Sequence, residues 1–420
     1  MESIDSSLFK KVDNSSILGA SNGRTKKWAI VSLSSIPLVM TLGNSMLIPV
    51  LPVMEKALNI SSFQTSMIIT VYSIVAIILI PLAGFLSDHI GRKKVIIPSL
   101  IIAGIGGLIS GWASWKMANP YLLILIGRSL QGVGAAGASP IVMPLVGDLF
   151  RSEDEVSSTL GSIETANTLG KVLSPILGAF LAGVIWYIPF FAFPVFCLIS
   201  VFLMIFCVKS PEKEVEPIPF KEFILNVKEI FQNNGRWLFS IFTIGIIIMF
   251  ILFGVLFYLS DVLEQDYGIK NIKKGALLAF PLGALCLSSY ITGRKIKENK
   301  ILMKWIIFIG MTLVGLSIAA LKFSDGLWFM ISMFLVSGIG IGISLPCLDA
   351  LITEGIEKEA RGTITSIYNA MRFIGVAAGP PAIAVLMIHL NMSIFYILSA
   401  LGLLAAIATL FAIKPDKDKQ

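Results

Sequence analysis

The chain alternates between long apolar runs and short polar breaks. The runs fall at 28–52, 63–86, 94–114, 121–146, 157–182, 185–208, 238–262, 275–293, 302–321, 327–351, 362–388 and 391–413. A bilayer core about 30 Å thick is crossed by ~20 helical residues, so each run predicts one transmembrane helix. Pro and Gly inside the stretches from Ile77 to Gly84 and from Gly104 to Gly111 do not disqualify them, because neighbouring helices satisfy the freed backbone groups. The strand alternation of an outer-membrane barrel is absent. The predicted fold class is an all-α membrane protein with twelve spans.

The polar breaks divide the chain. A tail at 1–27 is Ser/Asn-rich and has no apolar core, so it is expected to be a tail and not a cleaved signal. A six-span bundle follows at 28–208, then a linker at 209–236, a second six-span bundle at 237–413 and a tail at 414–420. In the linker, Pro217 and Pro219 exclude a continuous helix. From Phe220 the spacing of Phe220, Phe223, Ile224, Val227, Ile230 and Phe231 predicts an amphipathic helix. The halves echo one another: Gly132, Gly134 and Pro140 return as Gly338, Gly340 and Pro346, and Gly170 and Pro175 return as Gly375 and Pro380. Small and helix-breaking residues at matched places imply a duplicated bundle, the architecture that builds a midplane site between repeats.

Composition agrees with the pattern: 55% of residues are hydrophobic and 14% charged, with a mean hydropathy of +0.85. The basic residues give an orientation when counted by loop. Lys10, Lys11, Arg24, Lys26 and Lys27 of the tail share a side with Arg92, Lys93 and Lys94, with Lys209, Lys213, Lys221, Lys228 and Arg236, with Arg294, Lys295, Lys297, Lys300 and Lys304, and with the C-terminal lysines. The opposite loops keep Lys56, Lys116, Lys270, Lys273, Lys274 and Lys322. Both termini are therefore expected in the cytoplasm. The net charge of +7 belongs to this bias and implies no nucleic-acid partner.

Arg128, Lys171 and Arg372 interrupt apolar runs. A charge at bilayer depth costs about 2.5–3.5 kcal/mol on insertion scales, so each is expected to face a polar path or a partner. Glu164, Asn167 and Lys171 follow at i, i+3 and i+7 and share one stripe of the fifth span. Glu164 lies in the cytoplasmic third of that span. It reads either as a proton carrier or as a static partner of Lys171. Asp349 reads as interfacial, and the first span has only Asn44 as an internal polar candidate between Lys27 and Glu55. Three cations against Glu164 predict a net-positive path that favours anionic or phenolic amphiphiles. The aromatic and Met residues of spans 6 and 7 read as packing, as do all four cysteines, which lack metal-ligand spacing. No phosphate loop of the Gly-rich Lys-Ser/Thr kind is present. Nothing points to an enzyme, a cofactor or a metal.

Three motifs carry a family resemblance. The turn after span 2 holds Gly84, Asp88, Gly91, Arg92, Lys93 and Lys94 in the order Gly-x-x-x-Asp-x-x-Gly-Arg-Lys-Lys, with His89 where a basic residue is usual. Span 4 holds Arg128, Gln131, Gly132 and Gly134. Span 5 holds Gly161, Gly170, Ser174, Pro175, Gly178 and Ala179, similar to an antiporter signature in which Ser174 and Ala179 are glycines. Across its whole length the chain resembles the drug:proton antiporter branch of the major facilitator superfamily. The stretch from Ile163 to Pro175 looks like Bacillus-type multidrug exporters, a group that includes catecholate siderophore exporters.

The resemblance implies two pseudo-symmetric six-helix bundles in a bacterial plasma membrane and proton-coupled export of a small amphiphile by alternating access, with no cofactor, by a monomer. It assigns gating to Asp88, Arg92, Gly84 and Gly91, with Asp148 as the natural partner of Arg92. It assigns proton coupling to Arg128, beside the candidate Glu164. Lys171, Asn167, Arg372, Gln131 and Asn44 are the expected cavity residues. Gly161, Gly170, Ser174, Pro175 and Gly178 are the expected helix-packing set. A proton-symport importer of a nutrient and a non-transporting membrane receptor are the alternatives.

Overall fold

The computed structural model describes residues 23–150, 153–209, 220–296, 299–324, 326–355, 358–389 and 393–413. Lys10 and Lys11 of the first tail, Arg151, the prolines at 217 and 219 and the tail at 414–420 lie outside the described residues, as do the side chains of the expected amphipathic face from Phe220 to Phe231. Among the described residues all regular structure is helical, and twelve helices are long and apolar enough to cross a membrane.

Prolines shape the first span. Helix α1 (Gly23–Ser45) gives way to a 3-10 turn at Ile48–Val50 and then to α2 (Leu51–Leu58). Pro49 and Pro52 sit in the first turns of these short pieces, where a missing N–H leaves no bond unmade. The span therefore bends and continues to Leu58, beyond the end expected from hydropathy. Helix α3 (Ser62–Ile90) starts on a capping box in which Ser61 and Gln64 satisfy each other's backbone N–H groups. Gly91, at φ 101°, turns the chain directly into α4 (Arg92–Lys116), a conformation that suits glycine alone among ordinary residues. The remaining helices are α5 (Tyr121–Leu149), α6 (Glu153–Val184), α7 (Ile188–Cys207), α8 (Phe220–Gln265), α9 (Asn271–Lys295), α10 (Lys300–Ala320), α11 (Leu327–Gly355), α12 (Lys358–His389) and α13 (Ser393–Ala412). Helix α8 begins at Phe220, where the linker helix was expected, and runs unbroken into the seventh span.

The glycine repeat has a packing reason. Gly132 of α5 lies against the Tyr72 carbonyl of α3, and its counterpart Gly338 of α11 lies against the Pro281 carbonyl of α9. Gly134 meets Ser99 and Ala103 of α4, as Gly340 meets Gly310 and Val314 of α10. Gly170 meets Leu38 and Thr41 of α1, as Gly375 meets Ile246 and Phe250 of α8. Each pair thus allows the same helix-to-helix approach in its own half, as small residues do in membrane bundles. Two lysines repeat as well: Lys93 donates to the Ile205 and Val208 carbonyls at the end of α7, and Lys304 donates to the Leu410 carbonyl near the end of α13.

The halves meet along α3 with α12 and α6 with α9. Thr70 donates to the Ala377 carbonyl at 2.7 Å, and the Tyr72 and Phe373 rings lie 6.3 Å apart. The end that carries the α3–α4 turn is here termed the turn end, and the other the far end. Towards the far end, Ser260 donates to the Ile48 carbonyl at 2.9 Å, Lys56 reaches Glu264 at 3.5 Å, and Gly275 packs onto the Pro175 carbonyl. These contacts hold the far end of the seam closed.

Candidate functional site

Four charged side chains, two from each half, gather in the seam. Glu164 and Lys171 project from α6, Asp349 from α11 and Arg372 from α12, and every pair among them is within electrostatic range. Arg372 Nη1 donates to Asp349 Oδ1 at 3.4 Å. Glu164 accepts from Asn167 Nδ2 at 3.3 Å on each oxygen, and Asn167 Oδ1 accepts from Thr41 at 2.6 Å. Among the described residues, Lys171 has no carboxylate within 4.0 Å and makes no hydrogen bond. The direct Lys171–Glu164 pair is therefore not formed, because Asn167, one turn nearer, takes up the carboxylate. Lys171 instead forms the polar end of a small pocket bounded by Ile48, Pro175, Leu252, Phe253 and Leu282.

Asp349 changes the charge balance. Its position along the helix predicts an interfacial residue, and the sequence predicts a net-positive path. In the structure it pairs with Arg372, so the seam group holds two carboxylates and two cations and is formally neutral. Tyr368, one turn before Arg372, was not anticipated either. It is buried, its ring lies 5.5 Å from the Arg372 guanidinium carbon, and its hydroxyl lies beside Asp349. The spacing of Tyr368 and Arg372 at i, i+4 was the available signal.

Arg128 lies apart from this group. Its Nε donates to the Ile68 carbonyl at 2.8 Å, Nη1 to Gln131 Oε1 at 2.5 Å and to the Gly43 carbonyl at 3.3 Å, and Nη2 to Asn44 Oδ1 at 2.6 Å. The guanidinium also stacks over Tyr72, 4.5 Å from the ring centre. At 0% exposure Arg128 does not snorkel to a surface. Asn44 and Gln131, expected in the cavity, are buried as acceptors for Arg128. The structure brings Arg128, Asn44 and Gln131 together, but not Arg128 and Glu164.

At the turn end, Arg92 links two helices. Its Nε donates to Asp148 Oδ2 of α5 at 2.5 Å and its Nη1 lies 3.0 Å from Asp88 Oδ1 of α3. Gly84 faces Ser366 of α12 across the seam, where a Cβ would stand 3.7 Å from the Ser366 hydroxyl oxygen, an ordinary contact. Gly91 supplies the turn that aims Arg92.

The span-5 packing set divides. Gly170 seats α6 against α1, Gly178 lies on the Met46 carbonyl, Ser174 donates to the Gly170 carbonyl, and Pro175 receives Gly275 from the other half. Gly161 does not pack: a Cβ there would meet open space, because it lies on the exposed face of α6 while Thr159 and Ile163 face inward. Lys274, expected in a loop, is 1% exposed and donates to Glu264 Oε2 at 2.6 Å. Glu264 thus takes one lysine from its own half and Lys56 from the other. Their separation of ten residues across a loop carried no periodic signal. Among the described residues no cluster of His, Cys, Asp or Glu could hold a metal ion.

A bundle of two matched six-helix halves, with charged side chains facing across an intramembrane seam, defines a multi-pass membrane transporter of small molecules. The sequence matches the Major Facilitator Superfamily over residues 33–380 and 299–420. The chain belongs to that family. It is 56% identical over 392 residues to the bacillibactin exporter of Bacillus subtilis (strain 168), covering 93% of this chain and 98% of that protein. It is 31% identical over 181 residues to multidrug resistance protein 2 of the same organism, covering 43% and 44%. The crystal structure of the human organic anion transporter MFSD10 (TETRAN) superposes with a TM-score of 0.73 over 91% of this chain and 99% of that one, at 16% identity, a likeness of fold. The protein is a transporter and not an enzyme.

Proposed function

We propose that the protein exports a small amphiphilic molecule, a catecholate siderophore of the kind suggested by its relative's name, across the bacterial plasma membrane in exchange for protons. The observation that carries this reading is the neutral group of Glu164 and Lys171 facing Asp349 and Arg372 from opposite halves. Such a group can hold a polar head at the seam, while its carboxylates gain and lose protons as access alternates. The two bundles, 28–208 and 237–413, would rock about it as a monomer joined by the 209–236 linker. The turn end faces the cytoplasm, where the basic loops lie, with both termini on that side.

In this conformation the far, outer end is closed by Ser260, Glu264 and Gly275 with their partners. Asp88, Arg92 and Asp148, joined within the first half in this conformation, take part in a latch that engages the second half in the opposite state, with Gly84 and Gly91 shaping it. Arg128 anchors α5 to α1 and α3, and through them transmits coupling to the seam.

Inverted membrane vesicles test the reading. Siderophore should accumulate inside them when the lumen is made acidic, and not when the gradient is collapsed. Accumulation only without the gradient defeats exchange. Gradient-driven emptying of preloaded vesicles identifies a symport importer instead.

A further inference from the structure

An apolar groove runs along the outer side of α9. It has a volume of about 780 Å³ and is bounded by Ile176 of α6 on one side and by Leu335 and Ile339 of α11 on the other. Phe280, Leu287 and Ile291 of α9 are 54%, 63% and 45% exposed, whereas Leu278, Leu282 and Leu285 on the opposite face of the helix are buried. Leu278 and Leu282 belong to the pocket at Lys171. The groove is therefore separate from the charged seam group and opens sideways, towards the hydrocarbon of the bilayer. Its middle is clear at Gly283, where a Cβ would meet nothing within 4 Å. From Ala276 to Ile291 the helix advances roughly 22 Å at ~1.5 Å per residue. One leaflet supplies about 15 Å of a hydrocarbon core about 30 Å thick, so the groove has the length of an extended acyl chain.

The groove ends in a cation. Arg294 follows Leu287 by seven residues and stands on the same face of α9, at the turn end and one turn beyond Ile291. Its guanidinium carbon lies 4.5 Å from the centre of the Tyr290 ring, and a guanidinium stacked by its face keeps the N–H donors of its edge available. Among the described residues no carboxylate lies within 4.0 Å of it. Lys295 beside it is exposed. A second helix laid on this face would cover the apolar residues and bring no anion to Arg294. A free phosphate would meet Arg294 and leave the groove unfilled. A zwitterionic lipid would set its own cation beside Arg294 and Lys295. An anionic phospholipid supplies the chain and the counter-charge in one molecule, and a guanidinium binds phosphate through two parallel N–H donors.

We propose that the groove is a binding site for an anionic phospholipid of the leaflet at the turn end, with one acyl chain along α9 between Ile176 and Ile339 and the phosphate on Arg294. The chain touches both halves of the transporter, because Ile176 belongs to the first half and α9 and α11 to the second. No residue of the seam group takes part, so the site does not depend on which molecule is transported.

Native mass spectrometry of the purified full-length protein, titrated in detergent with dioleoylphosphatidylglycerol or dioleoylphosphatidylcholine, measures the affinity of the first lipid bound. The glycerol lipid should bind at least about ten-fold tighter than the choline lipid, the range of a charge-assisted hydrogen bond. Arg294→Gln should remove most of that preference, and Arg294→Lys should keep part of it. Lys27→Gln, which removes an exposed charge of α1 at the same end, should leave it intact. Gly283→Trp fills the groove and should weaken both lipids about five-fold or more through lost chain contact. In the wild-type protein, phosphatidylglycerol carrying a diazirine in one acyl chain should label α6, α9 and α11 in preference to α7, whose Phe202 and Phe206 are 58% and 74% exposed.

The proposal is overturned if Arg294→Gln keeps the full preference, or if Lys27→Gln lowers it equally, since the charge of the whole turn end would then attract the lipid. It also fails if excess glycerol 3-phosphate displaces the lipid, which would mark a site for the head alone. A dimer that Gly283→Trp dissociates would make a second copy the occupant. Labelling spread evenly over α7 and α9 overturns it on the wild-type protein, whatever the folding of the variants.

Discussion

Replacing Gly275 with alanine should open the far end of the transporter. Gly275 of α9 lies against the Pro175 backbone of α6, which belongs to the other half. A methyl group there would stand 2.8 Å from Ala179 Cβ, 3.0 Å from the Pro175 carbonyl carbon and nearer still to its oxygen. None of these atoms can rotate away, so the helices must part. Overpacking of this kind costs about 1–3 kcal/mol, and it applies only to the state in which α6 and α9 touch. At about 1.4 kcal/mol per ten-fold, the ratio of closed to open far ends should fall by roughly 5- to 150-fold. Spin labels at Ala57 and Lys270, both exposed and on opposite halves, report the separation by double electron–electron resonance, and Gly275→Ala should shift weight to longer distances. Gly283→Ala is the control, because a Cβ on that glycine of the same helix meets open space. If the two variants give the same distance distribution, this contact does not hold the seam and the reasoning fails.

Asp88→Asn and Arg92→Ala should each reduce gradient-driven transport with little loss of folded protein, since Arg92 joins Asp88 and Asp148 at the surface of the turn end; wild-type rates in both would remove the latch. Lys274→Ala leaves the Glu264 carboxylate buried with only Lys56 at 3.5 Å, so it should destabilise the protein by about 3–5 kcal/mol, whereas Lys274→Met with Glu264→Met should be near neutral; chemical denaturation in detergent separates the two. Arg128→Met strands the buried acceptors of Asn44 and Gln131, each worth about 1–3 kcal/mol, and should lower the detergent melting midpoint more than Lys171→Met, whose amine has no partner to strand.

Hydropathy alone determined the twelve spans, because every helix in a bilayer must be apolar over its length whatever it packs against. The duplicated glycines were also legible. Gly132 with Gly338 and Gly170 with Gly375 mark places where backbones touch, and that demand appears in the residue type itself. The turn of Asp88, Gly91 and Arg92 was readable because its atoms are close in sequence, and the Gly91 φ requires its residue. Helical spacing put Glu164, Asn167 and Lys171 on one stripe but did not say which would bond. Asn167 took the carboxylate and Lys171 was left to the pocket. Asp349 was placed at an interface because depth along its own helix was the only coordinate available. Its partner Arg372 stands on another helix, and the rotation of α11 and α12 that joins them is set by packing across the bundle. The same holds for Gly161, which keeps the spacing of a packing residue but has lost its neighbour, and for Lys274, which looked like a loop charge until α8 and α9 folded Glu264 against it. Periodicity fixes which residues share a face, and only the tertiary structure decides what that face meets, since charge pairing in a membrane depends on distances between helices that no single helix contains.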